Sequence, residues 1–343
     1  MFDIRSFYEA KSVEDAVRAL SEDEKALIIS GGTDVLIRLR EGKEAGASLV
    51  SIHNIPELKE ISMDENGILI IGAGASFSDI TNNPLVKKYV NVLGEAADTV
   101  GGPQIRNMGT IGGNICNGAT SADTASTLWS FNATVMLRGK NGVREIPVTE
   151  FYEGPGRTVR KHDEICTAFR IDKEEYEGFT GHYIKYGKRN AMEIATLGCV
   201  VRVKLSEDKK TIEDIRIAFG VAAPTPLRCR RAEEALRGME ISDASIYERI
   251  SENALTEVNP RSSWRASKEF RLQLISELSK RALREAILKS GVPESEVAEI
   301  RYKNESDNES NVSGELFSRE AYAAEGVYFN DGSAAFPGGE KNA

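Results

Sequence analysis

Two hydrophobic rhythms alternate along the chain. In SVEDAVRALSE (residues 12–22), Ala16, Val17 and Leu20 share one face at helical spacing, with Ser12 at the N-cap and Asp15 closing a short capping box. KALIIS (25–30) is a brief apolar run stopped by Gly31-Gly32, and VLIRLREG (35–42) resumes helical spacing before Gly42, which predicts strand, glycine turn, helix. SLVSIHNI (48–55) and GILIIGAGAS (67–76) read as strands, while residues 80–102 carry helical segments broken at Asn83-Pro84 and ended by Gly101-Gly102. ATVMLRG, REIPVTEFY and EICTAFRI then have strand composition and lead into the acidic hinge DKEEYEG (172–178), so a domain boundary is expected near residue 175. Beyond it HYIKYGK, ATLGCVVRVKL and IEDIRIAFGVAA predict strands, and RAEEALRG and KEFRLQLISELSKRALREAILKSG predict helices. The fold class expected is α+β. From about residue 295 the chain turns polar and acidic, a composition that cannot bury a core of its own.

One stretch breaks both rhythms. QIRNMGTIGGNICNGATSAD (104–123) is crowded with Gly, Asn, Ser and Thr between well-patterned apolar segments, and tight turns are the reading its composition supports. Composition elsewhere narrows the chemistry. At 343 residues more than one compact domain is expected, and a net charge of −9 without a Lys/Arg-rich run argues against nucleic acid. No apolar run reaches membrane-spanning length, and the N-terminal MFDIRSFYEAKSVEDAV lacks a secretory pattern, which predicts a cytoplasmic protein. Cys116, Cys166, Cys199 and Cys229 form no CxxC pair, and His53, His162 and His182 are scattered, so reduced thiols and no metal site are expected.

Three glycine-rich segments compete to hold a ligand. IGAGASF lacks the third glycine of a dinucleotide fingerprint and runs into SFSDI rather than into a clean helix, and no GxxxxGK[ST] occurs. LIISGGTD (27–34) and GTIGGN (109–114) remain. A pyrophosphate can be bound without lysines when consecutive backbone N–H groups face it and no Cβ holds its oxygens away. Gly31-Gly32 at a strand-to-helix turn meets that need, and Gly112-Gly113 allows the same approach, with Thr110 and Asn114 as side-chain donors.

These two segments in this order, followed by HYIKYGKRNAMEIATLG, AFGVAAPTPLRC and NPRSSWRASKEFRL, resemble the FAD-binding subunits of bacterial xanthine dehydrogenases, within the molybdenum hydroxylase flavoproteins, over about residues 1–290. The resemblance implies a two-part FAD-binding domain of the vanillyl-alcohol-oxidase/PCMH type over 1–175, with subdomains at about 1–58 and 59–175. An antiparallel sheet with helices would follow over 176–293, then an acidic tail over 294–343, disordered or partner-bound. It implies that Leu27, Ile28, Ile29, Ser30, Gly31, Gly32, Thr33 and Asp34 wrap the FAD pyrophosphate, and that Gly109, Thr110, Ile111, Gly112, Gly113 and Asn114 form the opposing wall. Gly101 joins this set, Asp123 matches a position on the adenosine side, Ile165 or Cys166 an apolar contact to the flavin, and Lys185 a lysine at its ring system. Read from the residues alone, Asp123 is equally suited to cap the helix TASTLWSF.

The loop YGKRNAMEIA (186–195) would lie over the flavin, with Arg189 as a loop charge and Met192 or Glu193 beside the ring. The implied activity is that of the flavin subunit of a xanthine dehydrogenase, active only in complex. Electrons would pass from a molybdopterin-binding large subunit through 2Fe-2S clusters in a small subunit to FAD, then as hydride to NAD. The chain has no cluster-binding cysteine pattern, so the other cofactors are assigned to partners, and no acid, base or nucleophile is expected in this chain. Readings within reach of the same sequence are a flavin subunit serving CO, nicotinate or an aromatic acyl-CoA, a free-standing FAD oxidoreductase, and a scaffold subunit with empty glycine turns.

Overall fold

The computed structural model describes residues 3–302. Its first unit is a parallel three-stranded sheet in the order β1-β3-β2, built from β1 (Ile4–Glu9), α1 (Val13–Glu22), β2 (Leu27–Ile29), α2 (Val35–Arg40) and β3 (Ala47–Ser51). The predicted face of α1 is the one buried: Val13, Ala16, Val17 and Leu20 pack with Val50 and Ile52. Ser12 Oγ accepts the Asp15 N–H at 3.1 Å, but the Asp15 carboxylate takes the N–H of Lys11 at 2.9 Å and not that of the N-cap, so the box is left half made. Strand β1 was not evident in the sequence, because it is exposed throughout and carries no alternation.

The second unit is an antiparallel five-stranded sheet, β4-β5-β10-β6-β7, covered by short helices. In chain order these are β4 (Ile61–Met63), β5 (Leu69–Gly72), α3 (Phe77–Asn82), α4 (Pro84–Tyr89), α5 (Asn91–Asp98), α6 (Pro103–Met108), α7 (Ile111–Cys116), α8 (Asp123–Ser130), β6 (Thr134–Gly139), β7 (Gly142–Pro147), α9 (Val148–Phe151), the small hairpin β8 (Tyr152–Gly154) and β9 (Arg157–Thr158), and β10 (Ile165–Ile171). Three expectations change here. SFSDI does open a helix, α3, because Ser76 and Asp79 form a complete capping box. VTEF turns helical behind Pro147 instead of continuing the strand. The glycine-crowded stretch holds two helices, α6 and α7, where turns were expected; Pro103 starts the first and Thr110 caps the second.

The third unit is an antiparallel sheet, β11-β12-β13-β14, of β11 (Phe179–Tyr186), β12 (Leu197–Leu205), β13 (Ile212–Gly220) and β14 (Leu227–Arg228). One face packs on α10 (Arg230–Leu236), α11 (Ser245–Glu257) and α12 (Lys268–Leu288) through Cys199, Val201, Ile217 and Phe219. Helix α11 was missed in the sequence, although Ile246, Ile250 and Ala254 recur at helical spacing and are all buried. Residues 294–302 also depart from the tail reading. Val297 and Ala298 are buried, Ala298 N–H donates to Ile241 O at 3.0 Å, and its carbonyl accepts the Tyr247 hydroxyl at 2.7 Å. The rest of the expected tail lies outside the described residues.

The opposite face of the third sheet meets the second unit. Tyr183, Val200 and Ala218 stand side by side in register and enter the same core as α5 and α8. From that face Arg202, fully buried, donates to Ser130 O at 2.7 Å and to Glu175 O, with its guanidinium 3.7 Å from the Phe131 ring centroid. Nearby, Glu95 of α5 accepts from His182 Nδ1 at 3.1 Å, from Tyr183 N–H at 3.1 Å and from Lys289. Burial alone would raise the Glu95 pKa, but the hydrogen bonds from His182 and Lys289 outweigh it and hold the carboxyl below its ordinary value.

Two outcomes follow. Arg202→Ala removes both carbonyl contacts and opens a cavity, so urea unfolding should show a loss of about 4 kcal/mol. Glu95 binds its proton less readily folded than unfolded, so its stabilisation is present above the ordinary pKa of 4.5 and lost as pH falls below it. The thermal midpoint of the wild type should therefore fall more steeply on acidification than that of Glu95→Gln.

Candidate functional site

The turn that follows β2 carries the first half of the site. Gly32 has a positive φ of 73°, and a Cβ on Gly31 would stand 1.6 Å from the Met108 carbonyl oxygen, so only glycine lets the turn lie against the second segment. The N–H groups of Gly31, Gly32, Thr33 and Asp34 are left without an intramolecular acceptor among the described residues. Gly31 and Thr33 are half-buried, Gly32 is buried and Asp34 is exposed, so the run reaches the surface at its Asp34 end. Behind them Ile29 is anchored in a small core with Leu39 and Leu49, flanked by Leu27, while Ile28 leans on the α1 core. The turn is also tied sideways: Asn117 Nδ2 donates to Asp34 at 2.7 Å, and Thr110 Oγ1 lies 3.5 Å from Ser30 Oγ.

The second segment does face the first, but its backbone is already engaged. Ile111 N–H donates to Ala75 O at 3.1 Å, Gly112 N–H to Ala73 O at 2.8 Å and Gly113 N–H to Thr110 Oγ1 at 3.2 Å. The expectation of two amide cradles is thereby corrected. Gly109 and Gly112 are glycine for packing, since a Cβ would stand 2.8 Å from the Phe77 ring and 2.6 Å from Ala73 O respectively. What this wall offers a ligand is Gly113, exposed and with only Thr110 Oγ1 near its missing Cβ, and the Asn114 amide. Thr124 Oγ1 donates to Asn114 Oδ1 at 2.7 Å, which leaves Nδ2 as the free donor.

That hydrogen bond leads to a second cluster. Asp123 does not cap α8; Ala122 occupies that position and Asp123 is the first helical residue. Its carboxylate accepts from Lys185 Nζ at 2.8 Å and from the Tyr183 hydroxyl at 3.0 Å, while Lys185 also donates to Thr99 O at 2.9 Å. Asp123 and Lys185, expected at the adenosine and ring ends of a ligand, are thus paired with each other. The side chains are 7% and 11% exposed, and burial pushes the Asp123 carboxyl above its ordinary range against the pull of Lys185 and Tyr183. Burial likewise lifts the Tyr183 phenol, with the Asp123 charge adding to it. Tyr183 and Thr99 escaped the sequence reading, although period-two spacing on β11 already put Tyr183 on the face of Lys185.

The loop after β11 closes over the same corner. Met192, at φ 56° and 56% exposed, donates its N–H to Gly101 O at 3.1 Å and lies against Gly102, while Gly101 itself takes a φ of 51°. Glu193 accepts the Arg189 N–H at 2.6 Å, and Arg189 donates to Met192 O at 2.8 Å, so both residues brace their own loop. Ile165 is fully enclosed in the core of the first unit and Cys166 is buried beside α7. No three His, Cys, Asp or Glu side chains among the described residues are grouped to hold a metal ion. A cleft of about 510 Å³ between Met63–Gly67, Lys88-Tyr89 and Lys173–Phe179 shares no residue with this site.

FAD fits these residues on structural grounds. The unpaired amides of residues 31–34 suit a pyrophosphate, the open side of Gly113 admits its close approach, and Lys185 supplies the one buried cation of the cluster.

Comparison with known proteins supports the same assignment. Residues 2–173 match the family described as FAD binding domain in molybdopterin dehydrogenase, and residues 182–286 match CO dehydrogenase flavoprotein C-terminal domain. The putative xanthine dehydrogenase FAD-binding subunit XdhB of Escherichia coli K12 is 41% identical over 291 residues, covering 85% of this chain and 99% of that protein. The nicotinate dehydrogenase FAD-subunit of Eubacterium barkeri is 34% identical over 70% of this chain and 83% of its own length. Among solved structures, carbon monoxide dehydrogenase from Hydrogenophaga pseudoflava superposes with a TM-score of 0.78 at 28% identity, covering 84% of this chain and 99% of the matched one. With a family match over half its length and a relative of this identity over most of it, the chain belongs to the FAD-binding flavoproteins of the molybdopterin dehydrogenases.

Proposed function

We propose that this chain is the flavin subunit of a multi-subunit xanthine dehydrogenase. The observation that carries the reading is the run of four unpaired amides at Gly31–Asp34, set against the wall at Gly109–Asn114 in a chain 41% identical to a xanthine dehydrogenase subunit. FAD, when bound, supplies the chemistry: it takes up electrons singly and releases them as a hydride. The protein's work is positioning. The turn at 30–34 would hold the pyrophosphate, Asn114 Nδ2 would add a side-chain hydrogen bond, and Asp123 fixes the Lys185 ammonium, which would stabilise negative charge on the ring system.

In this reading electrons arrive from 2Fe-2S clusters in a small partner subunit, originate at molybdopterin in a large one that oxidises xanthine or hypoxanthine, and leave to NAD. The partners carry those cofactors, and the assembly works in the cytoplasm; among the described residues no helix is long and apolar enough to cross a membrane. A nicotinate-oxidising assembly is the second reading, favoured by the 34% identical relative. The native complex decides between them. Xanthine should bleach its flavin absorbance and subsequent NAD should restore it; bleaching by nicotinate and not by xanthine would select the second.

Two variants test the site itself. Gly113→Ala adds a methyl group at the exposed position of the wall, where Thr110 Oγ1 at 3.2 Å is its one near neighbour among the described residues, so the thermal midpoint of the flavin-free chain should shift little while FAD affinity falls about tenfold or more by titration calorimetry. Gly31→Ala drives a Cβ into the Met108 carbonyl, so the purified chain should retain little flavin by absorbance per chain.

A further inference from the structure

The loop between α11 and α12 presents a bulky ring to solvent on a rigid mount. Trp264 is 81% exposed, with the Arg265 guanidinium 4.2 Å from its ring centroid. Arg271, buried in the first turn of α12, holds the loop from inside: it donates to Arg261 O, to Ala266 O at 3.3 Å and to Ser263 Oγ at 2.9 Å. Its Nε donates to Thr196 O at 3.2 Å, and the Thr196 N–H closes the base of the 187–195 loop on Tyr186 O at 2.9 Å. The two loops therefore share one braced corner. This corner is also positive in an acidic chain. No Asp or Glu occurs from Val258 to Lys268, and Arg261, Arg265 and Lys268 form no ion pair among the described residues. Burial, and then the Arg261 and Arg265 charges, hold the Arg271 guanidinium below its ordinary pKa, as expected for like charges with no acid between them. An exposed tryptophan flanked by arginines is the composition of an interface anchor, and its charge selects an acidic segment with apolar residues.

The chain itself carries such a segment. Residues 303–343 lie outside the described residues and past the end of both family matches. Between 304 and 325 the sequence sets Glu305, Asp307, Glu309, Glu315, Glu320 and Glu325 against the single Arg319. Leu316-Phe317 falls between Glu315 and Glu320, much as Trp264 falls between Arg261 and Lys268. The reach is sufficient. The Ala298 carbonyl accepts the hydroxyl of Tyr247, in the first turn of α11, and the loop begins at Val258, past the other end of that helix. The helix from Tyr247 to Val258 covers about 17 Å, while the chain from Ala298 to Glu305 extends to about 23 Å. Tethering over such a distance keeps the segment at an effective concentration on the order of millimolar, so even a weak contact is occupied.

We propose that residues 305–325 of the same chain dock on the loop 258–268, with Leu316-Phe317 against the Trp264 ring and the flanking carboxylates on Arg261, Arg265 and Lys268. Seated there, the segment covers the corner where this loop meets the base of the 187–195 loop, whose Met192 is bonded to Gly101 of the candidate site. The docking is independent of which substrate the assembly oxidises, and its test reads contacts alone.

The full-length chain, labelled with heavy nitrogen and mixed with unlabelled chain, is treated with a carbodiimide, which joins an amine to a carboxylate in contact, and digested for mass spectrometry. Lys268 should be joined to carboxylates of 305–325 in peptides that carry a single label. Salt at about 0.5 M should lower the yield about fivefold, because exposed charge pairs are screened. The same loss is expected in Arg261→Gln/Arg265→Gln and in Glu315→Gln/Glu320→Gln, with the thermal midpoint holding in both. Trp129 is only 2% exposed, so acrylamide quenching of tryptophan fluorescence reports Trp264. It should be weak in the wild type and rise in either double variant. Absence of cross-links from Lys268 to the segment, cross-links only between differently labelled chains, cross-links that persist in the variants, or a Trp264 as open to acrylamide in the wild type as in the variants would each overturn the proposal.

Discussion

The arrangement depends on burying α8, a helix with more polar than apolar residues, between two sheets. All eight of its residues are buried, among them Asp123, Thr124, Ser126, Thr127 and Ser130. Such a helix is costly in an interior unless its polar groups and its ends find partners, and its polar side chains have them except Ser126, whose Oγ is buried without one among the described residues. The third sheet supplies two cations for this purpose. Lys185 neutralises Asp123 at the N-terminal end and Arg202 takes the Ser130 carbonyl at the C-terminal end. Within the helix, Thr127 and Ser130 hydroxyls donate to carbonyls three residues earlier. The same contacts that hold the C-terminal unit against the FAD-binding half therefore also place Lys185 and, through Thr124 and Asn114, one wall of the candidate site.

The two glycine segments look interchangeable in composition and act in opposite ways. At residues 31–34 glycine frees the backbone, and the turn leaves its N–H groups unpaired among the described residues. At 109–113 glycine mostly serves packing, because the segment lies edge to edge with residues 73–77 and spends its N–H groups there. Gly72 and Gly74 of the rejected fingerprint belong to the second kind, since their Cβ positions lie 2.3 and 3.0 Å from Leu58 O. Glycine spacing reports where a Cβ cannot stand, and the identity of the excluding atom, ligand or protein, is a tertiary fact.

Much of the fold was legible because the signals were local. Ala16, Val17 and Leu20 marked the buried face of α1, the apolar runs at 197–205 and 212–220 marked the strands of the third sheet, and the turn after Ile29 was readable from Gly31-Gly32 between a strand and a helix. Where signals failed, the cause was physical in each case. Strand β1 is exposed and lacks alternation, α6 and α7 are helices of only six residues each started by a proline and a threonine cap, and residues 294–302 are held by contacts with Ile241 and Tyr247 more than fifty positions away.

By itself the sequence determined an α+β chain, a glycine turn at 30–34 between a strand and a helix, and membership of a flavoprotein family, because these depend on periodicity, on glycine at a strand end and on motif order. Tertiary structure decided which amides remain free, that Asp123 and Lys185 form one buried pair, and that Arg202 reaches the Ser130 carbonyl. Each of those is a pairing of groups separated by dozens of residues. Hydrogen bonds and ion pairs act over a few ångströms, and only the packed chain says which groups come that close.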